Sequence, residues 1–197
     1  FRGLEQRQIH EDIKHVLVVL GGSELGEGLM KKLIDYLLKH TDYNVCAIAK
    51  ARSLEASKSN SRLKIETNLD EESMKKVMQS CDMCISSGGM TLYELAACGS
   101  PVAAIAMTEN QKSHIEAWQK SLGVISLGWY ENANAVLKNL ESALEVLNHE
   151  KRQDVSRKGQ KIIDGLGAKR TVAEVLRCFG IASSPPGAAL RNDVSMT

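Results

Sequence analysis

A strict alternation of short apolar runs with longer amphipathic stretches constrains this chain more than any other feature. Residues 15–20, HVLVVL, form a β-branched run of the kind shown by a strand buried on both faces, and Gly21 and Gly22 end it. Over 25–38, apolar side chains fall at Leu29, Leu33, Tyr36 and Leu37, while Lys31, Lys32 and Asp35 turn outward at helical spacing. The strand, glycine turn and helix recur along the chain. Further strands are predicted at 43–49, 63–67, 83–86, 102–107 and 124–127, and further helices at 70–80, 90–98, 111–122, 135–147 and 170–179. The polar stretch KARSLEASKSNS between the second and third strands reads as a loop. Strict alternation implies a parallel sheet covered on both faces. The expected fold is therefore α/β: a Rossmann-like three-layer sandwich around a six-stranded parallel sheet, spanning residues 15–180.

The flanks have a different character. Residues 1–14, opening FRGLEQRQIHED, are polar and lack strand periodicity, as an interdomain connector would. Residues 181–197 have the small, proline-rich and polar composition of a disordered tail. A chain of 197 residues can build one well-cored domain or half of a two-domain protein, and the connector-like start favours the second, with a further N-terminal domain as partner.

Composition excludes several function classes. The 25 lysines and arginines nearly balance the 24 aspartates and glutamates, and eight aromatic residues give little surface for stacking bases, so no general nucleic-acid binder is expected. No apolar run approaches the roughly 20 residues of a membrane span, and a cytoplasmic protein is expected. The five cysteines sit in strand-like and helix-like settings that suit reduced thiols. Cys81-x-x-Cys84 ends a helical stretch and enters a strand, which does not suit a redox motif. No second Cys/His pair offers a metal site, and no metal or cofactor is expected.

In an open parallel sheet, ligands bind at the carboxyl ends of the strands, where turns lead into helices. Three such turns can be located: GGSE at 21–24, SSGGMT at 86–91 and MTENQ at 107–111. Gly88 and Gly89 lack the Cβ atoms that would keep a ligand from the backbone, and free amides there favour an anion such as a diphosphate. Neither G-x-G-x-x-G nor G-x-x-x-x-G-K-[ST] is present, so the usual dinucleotide and P-loop fingerprints are missing. A glycine pair can also serve a tight turn with no ligand. Glu94 has two readings. If the helix starts at Thr91, Thr91-x-x-Glu94 is a capping box; if it starts at Gly89 or earlier, the carboxylate is placed to accept hydrogen bonds from vicinal hydroxyls such as those of a ribose. Asn110 and Gln111 can bind sugar or phosphate or cap the next helix, and His114 can be surface, internal or ligand-facing. Asp164-Gly165-x-Gly167 reads as a helix-ending turn.

The stretch ISSGGMTLYELAACGSPVAAIAMTENQ resembles the nucleotide-binding core of the C-terminal domain of GT-B glycosyltransferases. Together with VLVVLGGSE, ENQ and DGLGAKR it is similar above all to the UDP-sugar hydrolase of pseudaminic acid biosynthesis and its spore-coat polysaccharide relatives. The resemblance implies the C-terminal half of a GT-B fold that holds the UDP part of a UDP-sugar. It implies that Ser87, Gly88, Gly89, Met90 and Thr91 surround the diphosphate and that Glu94 holds the ribose. Thr67, Asn68 and Leu69 would give backbone contacts to uracil, and Gly21, Gly22 and Ser23 would line the cleft. Asn110 and Gln111 would face the phosphate or sugar, with Asn110 as a supporting catalytic residue. The parent would release UDP and free sugar in surface-polysaccharide or nonulosonic acid biosynthesis, its base being a histidine of the N-terminal domain, so this chain alone would not turn over. A glycosyltransferase and a degenerate binding module remain the alternatives. Glu24 and Leu25 depart from the aspartate-proline usual after the first turn, and Met90 from the usual small residue.

Overall fold

The computed structural model describes residues 4–21, 25–49 and 60–179. The expectations for Gly22, Ser23 and the 181–197 tail lie outside these residues. The elements run β1 (His15–Val19), α1 (Leu25–His40), β2 (Asn44–Ile48), β3 (Leu63–Glu66), α2 (Glu71–Ser80), β4 (Met83–Ser87), α3 (Thr91–Ala97), β5 (Val102–Ala106), α4 (Glu109–Leu122), β6 (Ile125–Trp129), α5 (Ala133–Val146), α6 (His149–Ile162) and α7 (Gly167–Cys178). The six strands form one sheet in the order β3-β2-β1-β4-β5-β6, every pairing parallel. The expected Rossmann-like fold is therefore observed.

Period-2 alternation divides the core into two layers. Val16, Val18, Ile85 and Ile105 face α1 and α5, where they meet Leu33, Ile34, Leu37, Val136 and Leu140. Leu17, Val19, Cys84 and Ala104 face the other way, against Met78 of α2, Leu92 and Leu95 of α3, and Ile115 and Trp118 of α4. Strands β4 and β5 are buried along their whole length; β5 is apolar throughout, while β4 ends in two buried serines, Ser86 and Ser87. The edge strand β3 is only partly covered.

One helix departs from the sequence reading. The periodicity shows nothing over 149–162, yet α6 lies there, packed against α3 and α4. Its buried face is Arg152, Val155, Ser156 and Gly159, which supplies one large apolar side chain and therefore no apolar stripe. A Cβ on Gly159 would sit 3.0 Å from the Ala96 carbonyl oxygen, so the glycine lets α6 approach the α3 backbone.

The stretch before β1 is irregular but firmly held. The Arg7 guanidinium donates to the Met78 carbonyl (3.2 Å), the Ser100 hydroxyl (3.0 Å) and the Cys81 carbonyl. Asp82, with a side chain 1% exposed, accepts from the Lys14 and His15 amides at 2.9 Å each and pairs with His10 Nδ1 at 2.7 Å. The buried Arg152 donates to the carbonyls of His10, Glu11 and Leu147.

Candidate functional site

The strand order reverses between β1 and β4, which opens the crevice where ligands of such sheets bind. Register pairs Val19 with Ser86 and Ser87 with Ile105, so the turns after β1, β4 and β5 lie side by side. A Cβ on Gly21 would lie 4.0 Å from Ser87 Oγ, and one on Gly89 would lie 3.8 Å from the same atom and 3.7 Å from Gln111 Nε2. Gly21, Ser87, Gly89 and Gln111 thus converge. Gly21 is exposed and has φ +82°, a conformation that suits glycine.

The two glycines of the β4 turn have different physical causes. A Cβ on Gly88 would press into Ile115, 2.8 Å from Cδ1 and 2.9 Å from Cγ1, so Gly88 is bare because α4 packs on it. The Gly88 amide is also engaged, donating to the Ile105 carbonyl (3.0 Å) and to Gln111 Oε1 (3.1 Å). This corrects the expectation that Gly88 offers its amide to a diphosphate. Gly89 is the opposite case. A Cβ there would meet only ordinary contacts and its φ is not positive, so nothing among the described residues requires a glycine. The amides of Gly89, Met90 and Thr91 have no acceptor among the described residues.

The start of the helix after this turn bears on the capping-box reading of Glu94. Helix α3 is assigned from Thr91, but Met90 already has helical backbone and the Leu92 amide reaches the Gly89 carbonyl at 3.2 Å. The cap position is Met90, with no side-chain cap hydrogen bond, so the expected Thr91–Glu94 capping box is not made. The Met90 side chain stands out into solvent, 74% exposed. Glu94 is half-buried, and its pKa is raised first by burial and then by the charge of Glu71. Glu71 opens α2, immediately after the Thr67 to Leu69 segment that follows β3. The charge of Glu71 is thus felt at Glu94, one turn into α3. In the segment Thr67 and Leu69 are half-buried, and Asn68 is exposed with φ +51°, a left-handed conformation that asparagine tolerates. With strands about 4.8 Å apart, the ends of β3 and β4 stand about 14 Å apart along the sheet. The candidate residues form a track along the carboxyl edge.

Helix α4 grips the glycine turn with two side chains one turn apart. Gln111 Oε1 accepts from the Gly88 and Met107 amides, the latter at 2.9 Å, which ties the ends of β4 and β5 together. Only its Nε2 faces toward Gly89, which narrows the expected contact of Gln111 with phosphate or sugar. His114 Nδ1 lies 2.8 Å from the Gly88 carbonyl oxygen. Its Nε2 takes the Trp118 Nε1 hydrogen at 2.8 Å and faces the Tyr93 hydroxyl at 3.1 Å. The sequence leaves the setting of His114 open, and its only signal is a place three residues beyond Gln111 on one helix face. Asn110 is exposed in the first turn of α4, where its Oδ1 accepts from the Thr108 hydroxyl at 2.6 Å.

Other clusters carry no comparable arrangement. Cys81, Cys84 and Cys98 are buried, with Cys81 and Cys98 pushed up to about 11 by burial, as expected of inert thiols. Among the described residues, no group of three or more histidine, cysteine, aspartate or glutamate side chains could hold a metal ion. A concavity of about 840 Å³ lies between residues 6–9 and α6, and it contains none of the motif residues. No helix among the described residues is long and apolar enough to cross a membrane.

The fold is that of a Rossmann-like α/β domain whose sheet opens a crevice at its carboxyl edge. The sequence profile of the glycosyltransferase family 28 C-terminal domain matches residues 16–174, and the chain belongs to that family. The spore coat polysaccharide biosynthesis protein SpsG of Bacillus subtilis is 23% identical over 175 residues, 86% of this chain and 52% of that protein. The Helicobacter pylori pseudaminic acid cytidylyltransferase and UDP-2,4-diacetamido-2,4,6-trideoxy-beta-L-altropyranose hydrolase is 28% identical over 152 residues, 77% of this chain and 27% of that protein. The S. aureus MnaA-UDP co-structure superposes with a TM-score of 0.66 at 14% identity, covering 89% of this chain and 48% of the other. The chain thus spans about half, or less, of each protein it matches here.

Proposed function

We propose that this domain holds a UDP-sugar along the carboxyl edge of its sheet. The diphosphate lies on the free amides of Gly89, Met90 and Thr91 and on the Thr91 hydroxyl. The ribose hydroxyls donate to Glu94, uracil meets the backbone of Thr67, Asn68 and Leu69, and the sugar extends toward Gly21, Gly22, Ser23, Asn110 and Gln111. The observation that carries this reading is Gly89, whose own amide and those of Met90 and Thr91 have no acceptor among the described residues, and which none of the described residues needs bare. The segment after β3 and the turn after β4 stand at the same edge of the sheet about 14 Å apart, which leaves room for a ribose between base and diphosphate.

For the parent protein we propose hydrolysis. Water forms a bond to the anomeric carbon and gives up a proton to a base of the parent's other domain, the bond from that carbon to the diphosphate oxygen breaks, and UDP leaves with the electron pair. This chain's part is to stabilise the leaving diphosphate with fixed amide donors. The name of the H. pylori relative, a UDP-sugar hydrolase, supports this assignment. Transfer to an acceptor is the second reading, favoured by the glycosyltransferase family to which the domain belongs. Incubating the parent protein with UDP-sugar in water alone tests the choice: consumption supports hydrolysis, and consumption only with an acceptor present contradicts it. For the domain alone, calorimetry is expected to show weak UDP binding without turnover.

A further inference from the structure

The hydrogen bonds around His114 fix its tautomer. A carbonyl oxygen only accepts, so the Nδ1 facing Gly88 carries the hydrogen; an indole N–H only donates, so the Nε2 facing Trp118 carries the lone pair. The Tyr93 hydroxyl therefore donates to the same Nε2. Tyr93 belongs to α3 and stacks on the His114 ring at 5.5 Å, while Trp118 meets both rings edge-on, so the imidazole is clamped between two helices.

What His114 holds is the carbonyl of the Gly88–Gly89 peptide. No peptide bond among the described residues is cis, and in a planar trans unit the C=O and N–H point in opposite directions. With the Gly88 carbonyl aimed at α4, the Gly89 N–H is directed away from α4, toward the open crevice. Gln111 and Ile105 fix the peptide on the other side of Gly88 through its amide. A carbonyl that accepts a hydrogen bond also polarises its own peptide, which strengthens the N–H as a donor.

We propose that His114 is a positioning residue of the anion site: through the Gly88 carbonyl it orients and polarises the Gly89 amide toward the diphosphate. The donors run in one direction, from Trp118 and Tyr93 to His114, from His114 to the Gly88–Gly89 peptide, and from Gly89 N–H to a phosphate oxygen. The proposal rests on the reading that the β4 turn holds a diphosphate. It assigns His114 no contact with the ligand.

The test compares the wild-type chain with His114→Ala and His114→Asn by UDP calorimetry, thermal unfolding and the Gly89 amide resonance. Asparagine places an N–H donor where His114 has Nδ1 but removes the acceptor for Trp118. The expected result is about tenfold weaker UDP binding in His114→Ala, the size of one hydrogen bond, with a reduced UDP-induced shift of the Gly89 amide. His114→Asn should keep affinity within about threefold of wild type while losing the Trp118 bond. Ring nitrogen spectra of the wild type should show hydrogen on Nδ1 and none on Nε2. Equal UDP affinity in wild type and His114→Ala overturns the proposal, as does an Asn variant no better than Ala or a hydrogen found on Nε2. A wild-type chain that ignores UDP while its ring nitrogens show the expected tautomer instead removes the nucleotide reading and leaves the clamp standing as architecture alone.

Discussion

Gly88 and Gly89 are adjacent in sequence and opposite in cause. Gly88→Ala forces a methyl group into Ile115, and overpacking of this kind costs about 1–3 kcal/mol. Gly89→Ala meets no such obstacle and should shift stability by less than about 1 kcal/mol, yet its methyl group stands on the path of the proposed diphosphate. Denaturant unfolding and UDP titration of both variants should separate the two effects: stability lost at Gly88, ligand affinity lost at Gly89. Glu94 adds a pH dependence. Its folded pKa is raised, so between the ordinary glutamate value near 4.5 and the raised value the folded chain binds more protons than the unfolded one. Stability therefore falls as pH rises through that window, and UDP affinity should rise with it on the proposed contact of the carboxylate with the ribose. In Glu94→Gln both dependences should flatten and UDP should bind weakly at every pH; an unchanged affinity profile would remove Glu94 from the ribose contact. The glycines and Glu94 are legible in the sequence because their residue types are unusual for their places. Gln111 and His114 as clamps are not, since their partner Gly88 lies 23 and 26 residues away and local spacing carries no trace of it.

At the scale of elements, β5 is readable because all five of its residues are apolar, as burial on both faces favours, and β4 is readable from Met83, Cys84 and Ile85 ahead of its two buried serines. Helix α6 is not, since its buried face is built from Arg152, Ser156 and Gly159 beside Val155. The helix is specified by what it holds in place of an apolar stripe: Arg152 anchors the carbonyls of the segment before β1, and Asp82 anchors its amides. Burial alone would push the Asp82 pKa up, but the Lys14 and His15 amides and His10 outweigh it, and the pKa is lowered. A lowered carboxylate pKa contributes stability that is present above the ordinary aspartate value of 3.8 and is lost as pH falls through the folded value. Asp82→Asn should cost about 1–3 kcal/mol at neutral pH. It should also remove the acid-dependent part of the unfolding curve between those two values. Urea unfolding across that range checks both.

For the whole molecule, the parallel sheet brings its glycine turns to one edge and its anchoring charges to the segment that enters β1. The alternation of elements makes that layout readable, because a parallel sheet admits few connections. Which amides remain free at the edge is a tertiary fact, fixed by α4 against the β4 turn. At the proposed site, the amides of Gly89, Met90 and Thr91, which have no acceptor among the described residues, receive a diphosphate. Titrating the isotope-labelled chain with UDP, and separately with uridine, and following its backbone amide resonances measures this most directly. The account predicts that UDP shifts Gly89, Met90 and Thr91 together with the Thr67 to Leu69 segment, and that uridine leaves the three turn amides unmoved. Turn amides that stay still at millimolar UDP, or that move equally with uridine, would contradict it.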